Sequence, residues 1–189
     1  MLITKDFGLE SELQRELMAD EKLLWWDKPK GGILFRTSDV FVVPFSILWC
    51  GFAFFWEFGV SNSGAPFFMM IWGIPFMCVG LYFVFGRFIY DKINREKTVY
   101  GITTNRVIIK SGVFKTKVES FNISTLFNLS IEEKKDGTGS VKLDSDKYPF
   151  SQFAVAGWPG SKGQAPALEF IDNVREIYNL ILQQQHKKQ

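Results

Sequence analysis

The sequence predicts an α+β membrane protein, in which a two-helix transmembrane hairpin is followed by a small antiparallel β-barrel or sandwich capped by a C-terminal helix. Two observations support this fold class. Two long apolar runs without charge, Val40 to Trp56 and Ala65 to Gly86, are joined by a short polar loop. From Thr98 onward, short runs of alternating apolar and polar residues are separated by turn residues, which is the pattern of half-buried strands.

Both apolar runs are long enough to span a membrane. They contain 17 and 22 residues, and a helix that rises about 1.5 Å per residue needs about 20 residues to cross about 30 Å of hydrocarbon. Neither run carries the polar stripe of a soluble helix. Pro44 and Pro75 are compatible with this interpretation, because neighbouring groups accommodate proline in transmembrane helices. We predict spans at about residues 40–58 and 65–88, within a hairpin at residues 39–90.

Basic residues flank the two spans on one side only. The connecting loop has no lysine or arginine, and its side of the hairpin carries only Glu57. Basic residues remain on the cytoplasmic side, so both termini of this multi-pass protein should be cytoplasmic. Trp25, Trp26, Trp56 and Arg87 are the candidate residues at the membrane interface. The flanking basic residues are Lys22, Lys28, Lys30 and Arg36 before the first span, and Arg87, Lys92, Arg95 and Lys97 after the second.

Small residues mark the predicted contact between the two helices. Ser46, Cys50 and Ala53 share one face of the first helix, and Gly73 and Gly80 share one face of the second. Small side chains let membrane helices approach closely, so these two faces should pack together. The predicted hydrocarbon portion contains no ionisable Asp, Glu, Lys, Arg or His, which argues against a channel or transporter.

The N-terminal segment, residues 1–38, is predicted to be cytoplasmic and amphipathic. Leucines among charged residues indicate a short helix from about Glu10 to Ala19. Two alternatives remain open for residues 21–36, which either complete the barrel as an edge strand or lie on the membrane. Trp25 and Trp26 correspondingly either lie among the headgroups or pack into the soluble domain, since tryptophan is common in both settings.

The C-terminal region, residues 97–189, is predicted to form one soluble domain. Its last strand leads into an amphipathic helix that starts near Val174, with Asp172 as the expected N-cap. Consecutive antiparallel strands closed by one helix fit the pleckstrin-homology (PH) class. The predicted strands are residues 98–102, 106–110, 117–123, 127–132, 140–143, 148–158 and 167–171, with a loop at residues 158–163.

A set of motifs runs from the flank of the hairpin into the first strands: Glu21-Lys22-Leu23-Leu24-Trp25, Pro44-Phe45-Ser46-Ile47-Leu48-Trp49, Trp72-Gly73-Ile74-Pro75-Phe76, Gly86-Arg87-Phe88 and Tyr100-Gly101-Ile102-Thr103-Thr104-Asn105-Arg106. These motifs resemble those of the bacterial PH-like domain proteins that carry a membrane hairpin. The resemblance covers nearly the whole chain and implies a PH-fold module tethered to the bacterial inner membrane. It brings no catalytic residues with it, because a fold is not a function.

Residue types needed for catalysis or metal binding are scarce. His186, the only histidine, lies near the C-terminal end, so neither a Ser-His-Asp triad nor a histidine metal site is predicted. Gly137-Thr138-Gly139 lacks the lysine and the helix of a phosphate-binding loop and is predicted to be a hairpin turn. A formal net charge of +2 does not suggest nucleic-acid binding. We therefore predict no enzyme activity, cofactor, metal or small-molecule substrate.

Basic residues around the turn at residues 111–114 form the candidate site. Arg106, Lys110, Lys115 and Lys117 are spaced like the headgroup-binding residues on an early hairpin of eukaryotic PH domains. This similarity implies weak contact with anionic lipid, with Phe114 touching the membrane interface. The alternative is a solvated strand face with Phe114 packed in the core.

The predicted function is that of a membrane-anchored, non-catalytic interaction module. Its partners would be membrane lipids of the anionic inner surface and a protein, bound for example by strand addition at a sheet edge. Self-association through the aromatic hairpin is a related possibility. The other functional class is an accessory or regulatory subunit of a larger inner-membrane complex, in which the hairpin carries the contact.

Overall fold

A computed structural model describes residues 7–35, 39–126, 128–143 and 166–187 of the chain. The predicted strand at residues 148–158, the loop at 158–163, Arg36 and Phe127 lie outside these ranges. In chain order the elements are α1 (Phe7–Gln14), β1 (Leu23–Asp27), α2 (Asp39–Asn62), α3 (Phe67–Leu81), a π-helical turn (Tyr82–Gly86), α4 (Arg87–Glu96), β2 (Val99–Thr103), β3 (Arg106–Ser111), β4 (Lys117–Asn122), β5 (Leu129–Glu133), β6 (Gly139–Leu143), β7 (Ala167–Ile171) and α5 (Val174–His186).

The chain forms two compact units. One unit contains residues 32–92, and the other contains residues up to 31 together with most of the chain from residue 93 onward. We refer to them as the hairpin unit and the sheet unit. The hairpin unit therefore interrupts the sheet unit in sequence.

The described residues include two helices that are long and apolar enough to cross a membrane, Asp39–Asn62 and Phe67–Glu96. The loop between them is shorter than the sequence indicated, because α2 continues to Asn62 where a loop from Gly59 was predicted. Polar side chains satisfy carbonyl groups of the last turn, with the Asn62 amide donating to Phe58 O at 2.8 Å and the Ser63 hydroxyl to Val60 O at 2.9 Å. Glu57 lies within α2.

The sheet unit contains two antiparallel sheets and the helix α5. Strands β1-β2-β3-β4 form one sheet and β5-β6-β7 the other, in that order. No ladder joins β4 to β5 in the part of the chain that the structure describes, so the two sheets do not close into a barrel there. Their shared core contains Ile102, Val107, Leu168 and Ile181, each with 0% exposure. The core thus joins both sheets to the C-terminal helix.

Strand β1 comes from the N-terminal side of the hairpin unit and pairs with β2 from its C-terminal side. The register joins Leu23 to Thr103 and Asp27 to Tyr100. Two alternatives were open for residues 21–36. Residues 23–27 form the edge strand, which was the first of them. Trp25 packs against the main core and Trp26 against a second apolar cluster on the other face of the sheet. The hairpin unit is therefore an insertion between two hydrogen-bonded neighbouring strands.

The two chain segments that lead to the insertion are held together on β7. The Lys30 amide donates to Phe170 O at 2.8 Å, and Arg95 Nη1 donates to Lys30 O at 2.9 Å. The Arg95 guanidinium also lies 5.3 Å from the centre of the Phe170 ring. Phe170 has a φ of 53°, a left-handed conformation that costs a non-glycine residue about 1–2 kcal/mol. These contacts offset that cost and fix the entry and exit of the insertion.

The prediction that Asp172 caps α5 was wrong. Asn173 occupies the N-cap position with a φ of 49° and makes no side-chain cap hydrogen bond. Asp172 instead forms an ion pair with Lys30 at 3.2 Å. The helix begins at Val174 as predicted, but its N-cap is one residue later than predicted, and the Asp172 carboxylate pairs with the entry segment of the insertion.

Helix α1 covers the outer face of the four-stranded sheet. Leu13, with 0% exposure, and Leu9, with 8%, pack there against Val99 and Ile108. The helix is shorter than the predicted segment from Glu10 to Ala19. Tight turns end it, because the Glu16 amide bonds to Leu13 O at 2.9 Å.

Residues 32–92 should be dispensable for folding of the sheet unit. A chain in which about six glycine and serine residues replace them should be soluble and keep β1 paired with β2, because the entry and exit segments already touch and loop closure depends weakly on length. Amide hydrogen exchange of residues 23–27 measures this pairing.

The control for that experiment is the region from residue 97 to 189 alone, which lacks β1 and the indole of Trp25. It should be less stable by about 3 kcal/mol or more, the usual cost of removing a packed tryptophan. Equal stability of the two versions in urea would contradict the assignment of β1 to the sheet.

Candidate functional site

The four basic residues proposed for lipid contact lie on the β3–β4 hairpin, but they differ in their surroundings. Arg106 begins β3 and pairs with Glu21, whose side chain is completely buried. Arg106 Nε lies 3.0 Å from Glu21 Oε1, and its Nη2 lies 3.0 Å from Oε2. The Thr103 hydroxyl donates to the same carboxylate at 2.6 Å. Arg106 is therefore held by the N-terminal segment.

The environment of Glu21 favours its ionised form. Burial alone would raise the pKa of this carboxyl, but hydrogen bonds from Arg106, Thr103 and the Met18 amide outweigh it and hold the pKa below its ordinary value of 4.5. The carboxylate accordingly stays charged and keeps Arg106 bound to it throughout the neutral range.

Lys110 is also engaged by carboxylates. Its ammonium lies 3.2 Å from Glu12 and 3.4 Å from Glu16, and its side chain is 14% exposed. These acidic partners sit on and just after α1, far from β3 in sequence. The alternation of strand residues could not identify them, because only the packing of α1 on the sheet brings them to Lys110.

Lys115 and Lys117 remain at the surface, Lys115 in the turn between β3 and β4 and Lys117 at the first position of β4. Both side chains are exposed, and Lys117 forms an open ion pair with Glu119 in which the two side chains are 66% and 37% exposed. Phe114, at the tip of the turn, is 90% exposed. The alternative that packed Phe114 in the core was thus wrong. We call residues 111–117 the Phe114 tip.

A glycine shapes the Phe114 tip. Gly112 has a φ of 135°, a conformation open to glycine, and a Cβ at this position would overlap the carbonyl of Lys115. This tight turn presents the Phe114 side chain to solvent. Lys97 supports the turn by donating from its ammonium to Val113 O at 3.1 Å.

A cleft of about 350 Å³ opens beside the Phe114 tip. It is bounded by the start of β2, the end of β3 and the end of α4. Lys28 and Lys97, which were predicted only to be flanking charges of the spans, both line this cleft. The remaining lining residues are Glu12, Glu96, Val99, Lys110, Ser111, Gly112, Val113, Phe114 and Thr116.

The small residues of the hairpin unit lie where α2 meets α3. Ser46, Ala53, Gly73 and Gly80 are buried. A Cβ on Gly80 would lie 3.0 Å from Cys50 Cα, so the two backbones approach closely at this point.

Two of the predicted membrane-interface residues belong to the hairpin unit. Trp56 is 49% exposed. Arg87 is only 3% exposed and pairs with the buried Asp39 at 2.9 Å. Its Nε and Nη2 have no hydrogen-bond partner in the described part of the chain. The sequence placed Asp39 at the edge of the hairpin without assigning it a role.

Glu57 faces α3 from within α2. Gly73 provides the space for its side chain, because a Cβ there would overlap the carboxylate. Its Oε2 is buried and accepts no hydrogen bond from any residue that the structure describes. A carboxylate in an apolar helix pair is costly unless it is paired, so it is often a functional group.

A metal centre is not formed by the described residues, which contain no group of three or more His, Cys, Asp or Glu side chains suited to one. The bacterial PH domain family matches residues 40–185. The chain belongs to this family. No curated protein matches it. Domains of the PH-like class generally mediate protein or lipid interactions and are generally non-catalytic.

The family match and the sheet have different N-terminal limits. The match begins at residue 40, whereas the sheet of this bacterial PH domain begins with β1, Leu23–Asp27. The residues that hold Arg106 and Lys110, namely Glu12, Glu16 and Glu21, also precede the matched region. They are features of this chain outside the matched region.

Replacing Glu21 with Gln should destabilise the bacterial PH domain by about 3 kcal/mol, because it leaves a largely buried Arg106 without a counter-charge. The lowered pKa of Glu21 means that its contribution is complete above pH 4.5 and is lost as the pH falls through the folded-state pKa. The difference between wild type and variant should therefore shrink below pH 4.5. Urea unfolding at several pH values measures it.

Glu119→Gln is the matched control for this prediction. Glu119 also pairs with a lysine, but both side chains are exposed, and such pairs contribute about 0–1 kcal/mol. If Glu21→Gln lowered the free energy of unfolding at pH 7 no more than Glu119→Gln does, the buried network would not be a stabilising feature.

Gly80→Leu should destabilise the hairpin unit by about 1–3 kcal/mol, since the new side chain must force α2 and α3 apart. Gly51→Leu is the control, because nothing lies within 4 Å of a Cβ at Gly51. Thermal unfolding of the full-length protein in detergent compares the two. Equal midpoints would show that the helices do not pack through Gly80.

Proposed function

We propose that this bacterial PH domain protein is a membrane-anchored, non-catalytic interaction module. The hairpin unit would tether it to the bacterial inner membrane with both termini in the cytoplasm. The Phe114 tip would contact the anionic membrane surface, and the sheet unit would bind a protein partner. The single observation that carries the lipid contact is the 90% exposure of Phe114, which two exposed lysines, Lys115 and Lys117, follow closely in the chain.

Large apolar side chains on the surface of the hairpin unit support the anchoring. Phe41 is 80% exposed, Phe55 74% and Phe67 75%. In water such a surface would favour aggregation, whereas lipid chains would cover it. The basic residues on one side of the hairpin set the proposed orientation.

The proposed lipid contact is narrower than the sequence suggested. Arg106 and Lys110 are engaged by carboxylates of the N-terminal segment, so Lys115 and Lys117 supply the charge. Each lysine near an anionic surface contributes about 1 kcal/mol, and an exposed phenylalanine adds apolar contact. This is weak binding for a free domain. The hairpin unit would make this weak binding effective, because a membrane tether raises the local concentration of the lipid surface around the Phe114 tip.

The lipid contact is tested on the full-length protein in nanodiscs. Amide exchange of residues 111–117 should be slower by roughly tenfold in phosphatidylglycerol than in phosphatidylcholine, because two lysines are held at the anionic surface. The variant Lys115→Gln/Lys117→Gln should remove this difference.

Lys135→Gln/Lys187→Gln is the control, as it removes two exposed lysines from elsewhere on the sheet unit. It should leave the lipid dependence intact. Loss of the dependence in both variants would indicate a general charge effect, and no dependence in wild type would discard the lipid contact.

Glu57 favours a second candidate function, that of an accessory subunit of a larger inner-membrane complex. Its buried Oε2 has no partner within the described residues, and a polar group of another membrane protein could supply one. Deleting the hairpin unit separates the candidates. A partner of the interaction module would still bind the sheet unit, whereas a complex assembled through the hairpin would be lost.

A further inference from the structure

The outer face of the four-stranded sheet is shaped to receive a helix. Gly101 of β2 leaves a hollow in this face, and the side chain of Leu13 fills it. A Cβ on Gly101 would lie 3.0 Å from Leu13 Cδ1 and 3.4 Å from Leu23 Cδ1. Val99 and Ile108 form the apolar floor around the hollow. This outer face, under α1, is termed the helix groove.

Basic groups border the helix groove on the side of β3. Lys110 contacts the carboxylates of Glu12 at 3.2 Å and Glu16 at 3.4 Å. Arg106 donates from Nη2 to the backbone carbonyl of Glu16 at 2.6 Å. The groove thus combines an apolar floor with a positive edge, which suits an acidic amphipathic helix.

The segment that occupies the groove has a simple repeat. Leu9, Leu13 and Leu17 are four residues apart and pack on the apolar floor, and Glu12 and Glu16 precede the last two. Leu9, Glu12 and Leu13 lie within α1, whereas Glu16 and Leu17 follow it in turns. On a continuous helix, spacing of four would place each set along one face. A continuous helix with the pattern Leu-x-x-Glu-Leu-x-x-Glu-Leu would present both sets of side chains to the groove.

Helix α1 is a weak occupant of this groove. It contains 8 residues, fewer than the roughly 12 that an isolated helix needs to be even marginally stable. The side chains of Glu12 and Glu16 are 43% and 32% exposed, so salt screens their ion pairs. The next contact in the chain, the fully buried Glu21 with Arg106, is much better protected. Release of α1 would stop at this point and leave the sheet intact.

We propose that the helix groove is a docking site for an acidic amphipathic helix of a partner protein, and that α1 occupies it as an intramolecular competitor. The proposal rests on the proposed function as an interaction module and names the chemistry of its protein partner. A longer partner helix would gain contacts that α1 lacks, because Val99 and Lys110 line both the groove and the open cleft that contains Lys28 and Lys97.

The test uses the full-length protein in phosphatidylcholine nanodiscs and a fluorescent synthetic peptide with three repeats of the Leu-x-x-Glu pattern. Two variants weaken α1 in different ways. Leu13→Ser removes the side chain that fills the hollow, and Glu12→Lys/Glu16→Lys reverses its charges without creating a cavity. Each should bind the peptide about tenfold more tightly than wild type, because the competitor is released.

Two controls define the groove as the binding site. Gly101→Val combined with Leu13→Ser fills the hollow and should abolish peptide binding. A peptide with lysine in place of each glutamate should bind none of the variants. Amide exchange of β2 and β3 shows whether each variant keeps its sheet.

Equal peptide affinity in wild type and both released variants, or binding that survives Gly101→Val, would overturn the proposal. Dimers formed by exchange of α1 between copies, without peptide binding, would also overturn it and assign the groove to a second copy. The lipid dependence of the Phe114 tip is measured separately. If that lipid dependence were absent, the peptide-binding result would still test the helix groove.

Discussion

The pairing of β1 with β2 is the constraint on which the rest of the structure depends. It joins residues on either side of the hairpin unit, with Trp26 opposite Gly101. This pairing brings Trp25 into the main core and leads the chain back to Glu21 and α1. Without it the four-stranded sheet would lose its edge strand, Arg106 would lose its buried partner, and the outer face would lose its cover. A long insertion is tolerated because its two ends are held side by side at Lys30 and Arg95.

The buried charges divide the basic residues into two groups. Arg106 and Arg87 are each paired with a buried carboxylate, and both serve the packing of their own unit. The cost of burying such pairs is repaid only when their geometry is good, and removing one partner is strongly destabilising. Lys115 and Lys117 carry no such constraint. The lysines at the Phe114 tip therefore lie exposed at the surface, while these two arginines are held in buried ion pairs.

Most elements could be predicted from local sequence patterns. The elements and contacts that depend on long-range pairing could not. Alternating and β-branched runs located β2 to β7 to within about two residues at each end. The run Leu23-Leu24-Trp25-Trp26 does not alternate, and nothing near it in sequence identifies β2 as its neighbour. The same limit applies to the candidate site. Its lysines were visible in the sequence, but the carboxylates that occupy Arg106 and Lys110 come from residues that only the fold brings near.

Photo-crosslinking from the Phe114 tip in native membranes tests the central claim most directly. A benzophenone amino acid at position 114 of the full-length protein should form adducts with lipid, identified by mass spectrometry. The same group at position 135, on the exposed turn before β6, should form far fewer of them. Equal labelling from the two positions, or none from position 114, would contradict the account of the tip as the surface that meets the membrane.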